Sequence, residues 1–152
     1  MAKDTVHKYK CDKNYIFHKT NLCVNQIHKN GSDAQKQKYL PTLASGKSIA
    51  CHALTEPEAG SDVFSMQTSA TKVEGGYILN GEKCLISLAP VANLALIFAV
   101  TNAKLGKWGI STFIVETGTP GFSVSTNKEK MGLRTVPIGS LYFKDCFVPE
   151  EN

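Results

Sequence analysis

The alternation of apolar and polar residues changes period near residue 46. Before that point Ile16, Phe17, Leu22, Val24 and Ile27 recur loosely at helical spacing, which predicts one helix face ending at Asn30-Gly31, where a C-terminal glycine is expected. Ser32-Asp33-Ala34-Gln35 has the form of a capping box, in which the serine oxygen and the glutamine amide satisfy free backbone N–H groups of a second helix. Pro41 is expected to limit that helix to about two turns, and Gly46 closes the segment.

From Ser48 onward the pattern is one of short strands separated by turns. Gln67 to Val73 alternates and stops at Glu74-Gly75-Gly76, and Tyr77-Ile78-Leu79 resumes until Asn80-Gly81. Gly75-Gly76 and Asn80-Gly81 tolerate positive φ and predict two tight hairpin turns. Further strands are expected at Lys83–Leu88, Leu94–Thr101, Gly109–Glu116, Phe122–Thr126 and Ser140–Phe147. About seven or eight strands with no helix between them predict a mainly β fold. The expected architecture is an antiparallel β-barrel, closed or nearly so, with residues 47–152 forming it and residues 1–46 a helical lead-in. About 30 helical residues cannot bury both their faces alone, so the lead-in reads as the tail of a helical domain.

Composition narrows the function classes. The chain has 152 residues, enough for one ordinary domain with a core, and is 42% hydrophobic and 20% charged. Its longest apolar run, Leu94–Val100, is of strand length and far short of the roughly 20 residues a membrane helix needs. The net charge of +4 comes from scattered lysines, and Arg134 is the sole arginine, which argues against nucleic-acid binding. Cys11, Cys23, Cys51, Cys84 and Cys146 form no C-x-x-C pair and are odd in number, unlike a disulfide framework or a zinc site. Cys51, Cys84 and Cys146 lie in apolar stretches and read as small core residues. A reducing intracellular compartment follows, cytoplasm or mitochondrial matrix. Residues 1–8 carry neither a secretory core nor an arginine-rich presequence.

Phosphate-loop, dinucleotide, zinc-protease and nucleophile-elbow signatures do not occur, and His7, His18, His28 and His52 are dispersed, so no metal site is expected. One loop stands out. Leu54-Thr55-Glu56-Pro57-Glu58-Ala59-Gly60-Ser61-Asp62 follows an apolar strand and offers two hydroxyls and backbone N–H groups around a glycine. Such a loop could hydrogen-bond a planar polar ring or a phosphate; it could equally be a plain turn capped by Asp62 or Ser61.

This loop and five other stretches, in the same order, resemble the acyl-CoA dehydrogenase family of flavoproteins. The others are Gln35–Pro41, Tyr77–Lys83, Phe113–Glu116 with Pro120-Gly121-Phe122, Lys130–Arg134, and the closing Phe143–Asn152. The resemblance runs from about residue 15 to the end. It implies the end of an N-terminal helical domain followed by the middle β-barrel, without the C-terminal helical domain of the family.

What the resemblance implies for function is specific. The cofactor is FAD, with His52, Leu54, Thr55, Gly60 and Ser61 along the flavin-facing surface, Thr55 toward the pyrimidine side of the ring and Ser61 also toward the CoA arm of the substrate. Leu85, Ile86 and Ser87 stand where the family has a Trp-Ile-Thr or Trp-Ile-Ser flavin strand, and Leu88 where it tends to show asparagine. The implied reaction is α,β-dehydrogenation of an acyl-CoA thioester with hydride transfer to FAD, electrons leaving to an acceptor flavoprotein, in a homo-oligomer when full-length. None of Glu56, Glu58, Glu82 or Glu116 matches the family's base, so no catalytic residue is assigned and the isolated chain is expected to be inactive. The alternative reading is a non-catalytic barrel derived from a dehydrogenase and kept as a binding or interaction module.

Overall fold

The computed structural model describes residues 13–126 and 130–152, with side chains from residue 20. The side chains of Ile16, Phe17 and His18, together with His7 and Cys11, lie outside the described residues. Among the described residues two helices come first, α1 (Lys13–Asn30) and α2 (Asp33–Ala44). The capping box forms as expected: Gln35 N donates to Ser32 Oγ and Gln35 Oε1 accepts from Ser32 N. Pro41 does not end α2, which runs on to Ala44. An interior proline forfeits one backbone bond, and burial of Tyr39 and Leu43 on the sheet offsets that cost. On α1, Ile27 is buried with Cys23, whereas Leu22 is exposed, so the apolar stripe is narrower than its spacing suggests.

Seven strands follow among the described residues: β1 (Ala50–Ala53), β2 (Ser69–Val73), β3 (Gly76–Ser87), β4 (Leu94–Val100), β5 (Ile110–Glu116), β6 (Phe122–Thr126) and β7 (Ile138–Pro149). They form one curled sheet in the order β1-β4-β2-β3-β7-β6, with β5 on β4. The mainly β architecture agrees with expectation, but the sheet is mixed rather than purely antiparallel. β1 runs parallel to β4, and β2 meets β4 in parallel at Ser69 and Val100. β1 and β4 are not neighbours in sequence: the β2–β3 hairpin reverses the chain, and the turn after β3 restores the direction of β1.

Two turn assignments change. In the β2–β3 hairpin Val73 pairs with Gly76, so the turn is Glu74-Gly75, with Gly75 at φ 76°. Asn80-Gly81 is no turn: β3 passes through it with a register shift against β7, and Gly81 (φ 144°) lies so close to Thr68 that a Cβ would fall 2.7 Å from its Cα. The two strands expected on either side of Asn80-Gly81 are therefore one 12-residue strand, paired along its length with the equally long β7.

Burial explains the continuous apolar run of β4. Ala95, Ile97 and Ala99 face the sheet interior with Phe113, Val115, Leu79, Leu141 and Phe143. Leu94 and Leu96 face outward beneath Cys23, Ile27, Tyr39 and Leu43 of the helices. A strand covered on both faces loses its alternation. Cys51 and Cys146 are core residues as expected; Cys84 is not, being only partly buried beside an irregularity in β3.

Candidate functional site

The loop after β1 is built around one tight turn. Glu56 and Ala59 exchange both backbone hydrogen bonds, at 3.1 and 3.2 Å, leaving Pro57-Glu58 at the tip, where proline presets the backbone. Ala59 is buried, while Gly60 and Ser61 are exposed. Asp62 then caps a short 3-10 turn, Val63–Ser65, accepting Phe64 N at 3.3 Å. The capping role weighed for Asp62 in the sequence is thus real.

A second segment lies against this loop. Cys84 N donates to the carbonyl of Thr55 at 2.9 Å, tying the loop to the second half of β3. There the register against β7 jumps, Lys83 pairing with Leu141 and Ile86 with Gly139, and the extra residue turns Leu85 outward at φ 56° and 66% exposure. Ile86 points into the core, Ser87 is half-buried, and Leu88 closes the strand at φ 68° with its side chain fully buried.

Of the sequence-predicted residues, Thr55 and the Leu85-Ile86-Ser87 segment are joined by the Thr55–Cys84 bond. Ile86 can offer a flavin only its backbone, because its side chain belongs to the core. Gly60 and Ser61 lie beyond the Glu56–Ala59 turn, on the exposed part of the loop. His52 and Leu54 are half-buried, and the His52 ring packs at 5.0 Å on Phe98 of β4, in a tilted contact. Among the described residues no group of three or more His, Cys, Asp or Glu gathers as a metal site.

Behind this surface sits a feature that sequence reading missed. Lys83 is 0% and Glu56 4% exposed, and Lys83 Nζ stands 2.7 Å from Glu56 Oε1. Lys83 also donates to the Leu54 carbonyl at 3.2 Å, while Glu56 accepts Gln67 N at 2.6 Å and Thr68 N at 3.0 Å. Burial alone would raise the Glu56 carboxyl, but the amide of Gln67, the Lys83 ammonium and Thr68 outweigh it and hold the group below its ordinary value. Burial lowers Lys83, and Glu56 opposes that shift. With both oxygens engaged and out of reach of solvent, Glu56 is unsuited to proton abstraction. The available signal was parity: Lys83 lies four residues beyond core Leu79 on the same strand, where alternation points both inward.

The profile of the acyl-CoA dehydrogenase middle domain matches residues 51–146, and that of the N-terminal domain matches residues 9–47. The chain belongs to the acyl-CoA dehydrogenase family. It is 48% identical over 133 residues to the mitochondrial isovaleryl-CoA dehydrogenase of Solanum tuberosum, across 88% of this chain and 32% of that protein. Among solved structures it is similar to butyryl-CoA dehydrogenase from Megasphaera elsdenii, with TM-score 0.84 and 42% identity over 86% of this chain and 34% of the other. It is also similar to PigA with FAD and proline, with TM-score 0.84 and 45% identity over the same shares. The chain therefore spans about a third of the length of each of these three proteins. Among the described residues, no helix is long and apolar enough to cross a membrane.

Proposed function

We propose that this chain carries the flavin-facing part of an FAD-dependent acyl-CoA dehydrogenase, the loop Leu54–Ser61 and the strand segment Leu85–Ser87 together forming the surface that receives the isoalloxazine ring. The observation that carries this reading is the Cys84 N to Thr55 O bond, which joins the two segments beneath an exposed apolar side chain, Leu85. The residues fit such a ring: Leu85 offers an apolar face, while the Thr55 and Ser87 hydroxyls and nearby backbone groups offer hydrogen bonds to its polar edge. FAD, when bound, accepts the hydride from the substrate β-carbon as a base removes the α-proton.

This chain's own part is to bind and orient. In this reading the Thr55 hydroxyl bonds the pyrimidine side of the ring, and Ser61, on the exposed part of the loop, faces the pyrophosphate and the CoA arm of a thioester. The substrate is an acyl-CoA thioester and the electron acceptor a second flavoprotein, in a homo-oligomeric full-length protein. The helical lead-in, residues 1–46, and the barrel, residues 47–152, are two units of that protein. The buried thiols of Cys23, Cys51 and Cys146, which burial pushes upward in pKa, suit a reducing compartment.

Titration of the chain with FAD, followed by flavin fluorescence, tests this. Saturable binding is expected, weakened by Thr55→Ala and tightened roughly 2–12-fold by Leu85→Trp, the range that an aromatic contact of about 0.5–1.5 kcal/mol gives. A titration that neither substitution alters would refute the placement of the ring.

A further inference from the structure

We propose that the buried Glu56–Lys83 pair is the positioning device of the flavin-facing surface, holding the loop after β1 and the bulged end of β3 in one fixed relation. This rests on the flavin reading of that surface. Each charge neighbours a residue assigned to the flavin: Glu56 directly follows Thr55, and Lys83 stands two residues before Leu85. Three segments converge on the pair. Lys83 projects from β3 and bonds the Leu54 carbonyl, and Glu56 gathers the Gln67 and Thr68 amides ahead of β2. The stretch between β1 and β2 is also held by the Glu56–Ala59 turn, the Asp62 cap, the Thr55–Cys84 bond and, at its far end, by Thr68, which bonds the Glu82 carbonyl and the Val100 amide.

Stability alone does not account for such a pair. A buried ion pair is close to neutral against a well-packed apolar pair of equal volume, because desolvation consumes most of the Coulombic gain. What an apolar pair would lack is direction. It would fill the space yet leave the Leu54 carbonyl and two amides without partners, and the loop would shift to find them. Glu56 and Lys83 are positioning residues, acting through Thr55 and Leu85 and not by touching the flavin.

The test compares the 152-residue chain with Glu56→Gln, Lys83→Met and the double variant Glu56→Gln/Lys83→Met. Four quantities are read: FAD affinity, the circular dichroism of the bound flavin in the visible band, the melting temperature, and hydrogen exchange at the Gln67, Thr68 and Cys84 amides. Each single change is expected to weaken FAD binding at least tenfold and to speed exchange at those amides at least tenfold, more than it speeds exchange along β5. The double variant is expected to regain most of the melting temperature but neither the FAD affinity nor the visible signal. Recovery of affinity together with stability would overturn the proposal, as would single variants that bind FAD like the parent, or failure of all three to fold. Should the parent bind no FAD, the flavin reading fails by itself. The positioning role then stands or falls on the double variant's Cys84 amide, with parental exchange overturning it.

Discussion

Leu85 and Leu88 share a backbone conformation that L-residues avoid, at φ 56° and 68°, and differ in what their side chains do there. The left-handed region costs a residue of this kind about 1–2 kcal/mol, and asparagine enters it readily. Leu85 is 66% exposed, so about a third of its burial energy, roughly 0.5–1 kcal/mol, is lost on changing it to asparagine. Leu85→Asn is therefore expected to stabilise the chain by about 0.5–1 kcal/mol, raising the melting temperature by about 1–4 °C. Leu88 is fully buried. There the same relief is outweighed by a lost core side chain, about 2–5 kcal/mol, and by an amide left in apolar surroundings. Leu88→Asn should accordingly destabilise by about 3 kcal/mol and lower the melting temperature by roughly 6–12 °C. Thermal unfolding followed by circular dichroism reads both. Shifts of the same sign at the two positions would refute the idea that burial decides which leucine is worth its strain. FAD affinity should fall with Leu85→Asn even as stability rises, because the apolar face offered to the ring is gone.

Gly81→Ala should cost about 2–4 kcal/mol through positive φ and overpacking, since its new Cβ would press on Thr68; the melting temperature is the check. Tyr39→Phe removes 3.0 Å hydrogen bonds to Glu116 and Asn152 that fasten α2 to the sheet and to the end of the chain. A loss of about 1–2 kcal/mol is expected, with faster exchange of the Ile114 amide, which bonds the Asn152 carbonyl. The Glu56 carboxyl sits below its ordinary value in the fold, so its stabilisation is complete above the unfolded value and disappears as pH falls through the folded one. Melting temperatures measured from pH 7 to 3 should drop more steeply below about pH 4 in the parent than in Glu56→Gln/Lys83→Met.

How much of this was legible depends on whether the deciding interaction is local. The Ser32–Gln35 capping box, the reversal after Val73 (one residue earlier than Gly75-Gly76) and the strand at Leu94–Val100 are set by neighbours a few residues away, and pattern reading finds them; the cover on both faces of β4 comes from distant elements, which pattern reading does not reach. Asn80-Gly81 misleads because its local chemistry favours a hairpin, while the competing interaction is continuous pairing with β7, some 65 residues further on. Pro41 misleads for the same reason: contacts of Tyr39 and Leu43 with the sheet carry α2 past it. The loop around Thr55 was recognisable, yet the side chain that organises it was not. Lys83 lies 27 residues from Glu56, and a lysine within a strand reads as solvated until its partner is known. Leu88 looked like a departure at an asparagine position, and its backbone is left-handed, a conformation that asparagine enters more readily than leucine.

The way α2 is fastened also sets a timetable for the nascent chain. Gln35 donates to the carbonyl of Glu151 across 116 residues, and Tyr39 reaches Asn152. At about 5–20 residues per second, roughly 6–23 s separate synthesis of the helix from synthesis of its last partners. Until β5 ends at Glu116 the stripe of Cys23, Ile27, Tyr39 and Leu43 lacks its cover from β4 and β5, and until Asn152 it lacks its last hydrogen bonds. Codon tempo and early chaperone capture would therefore bear on the yield of this fold more strongly through α1 and α2 than through the strands that follow.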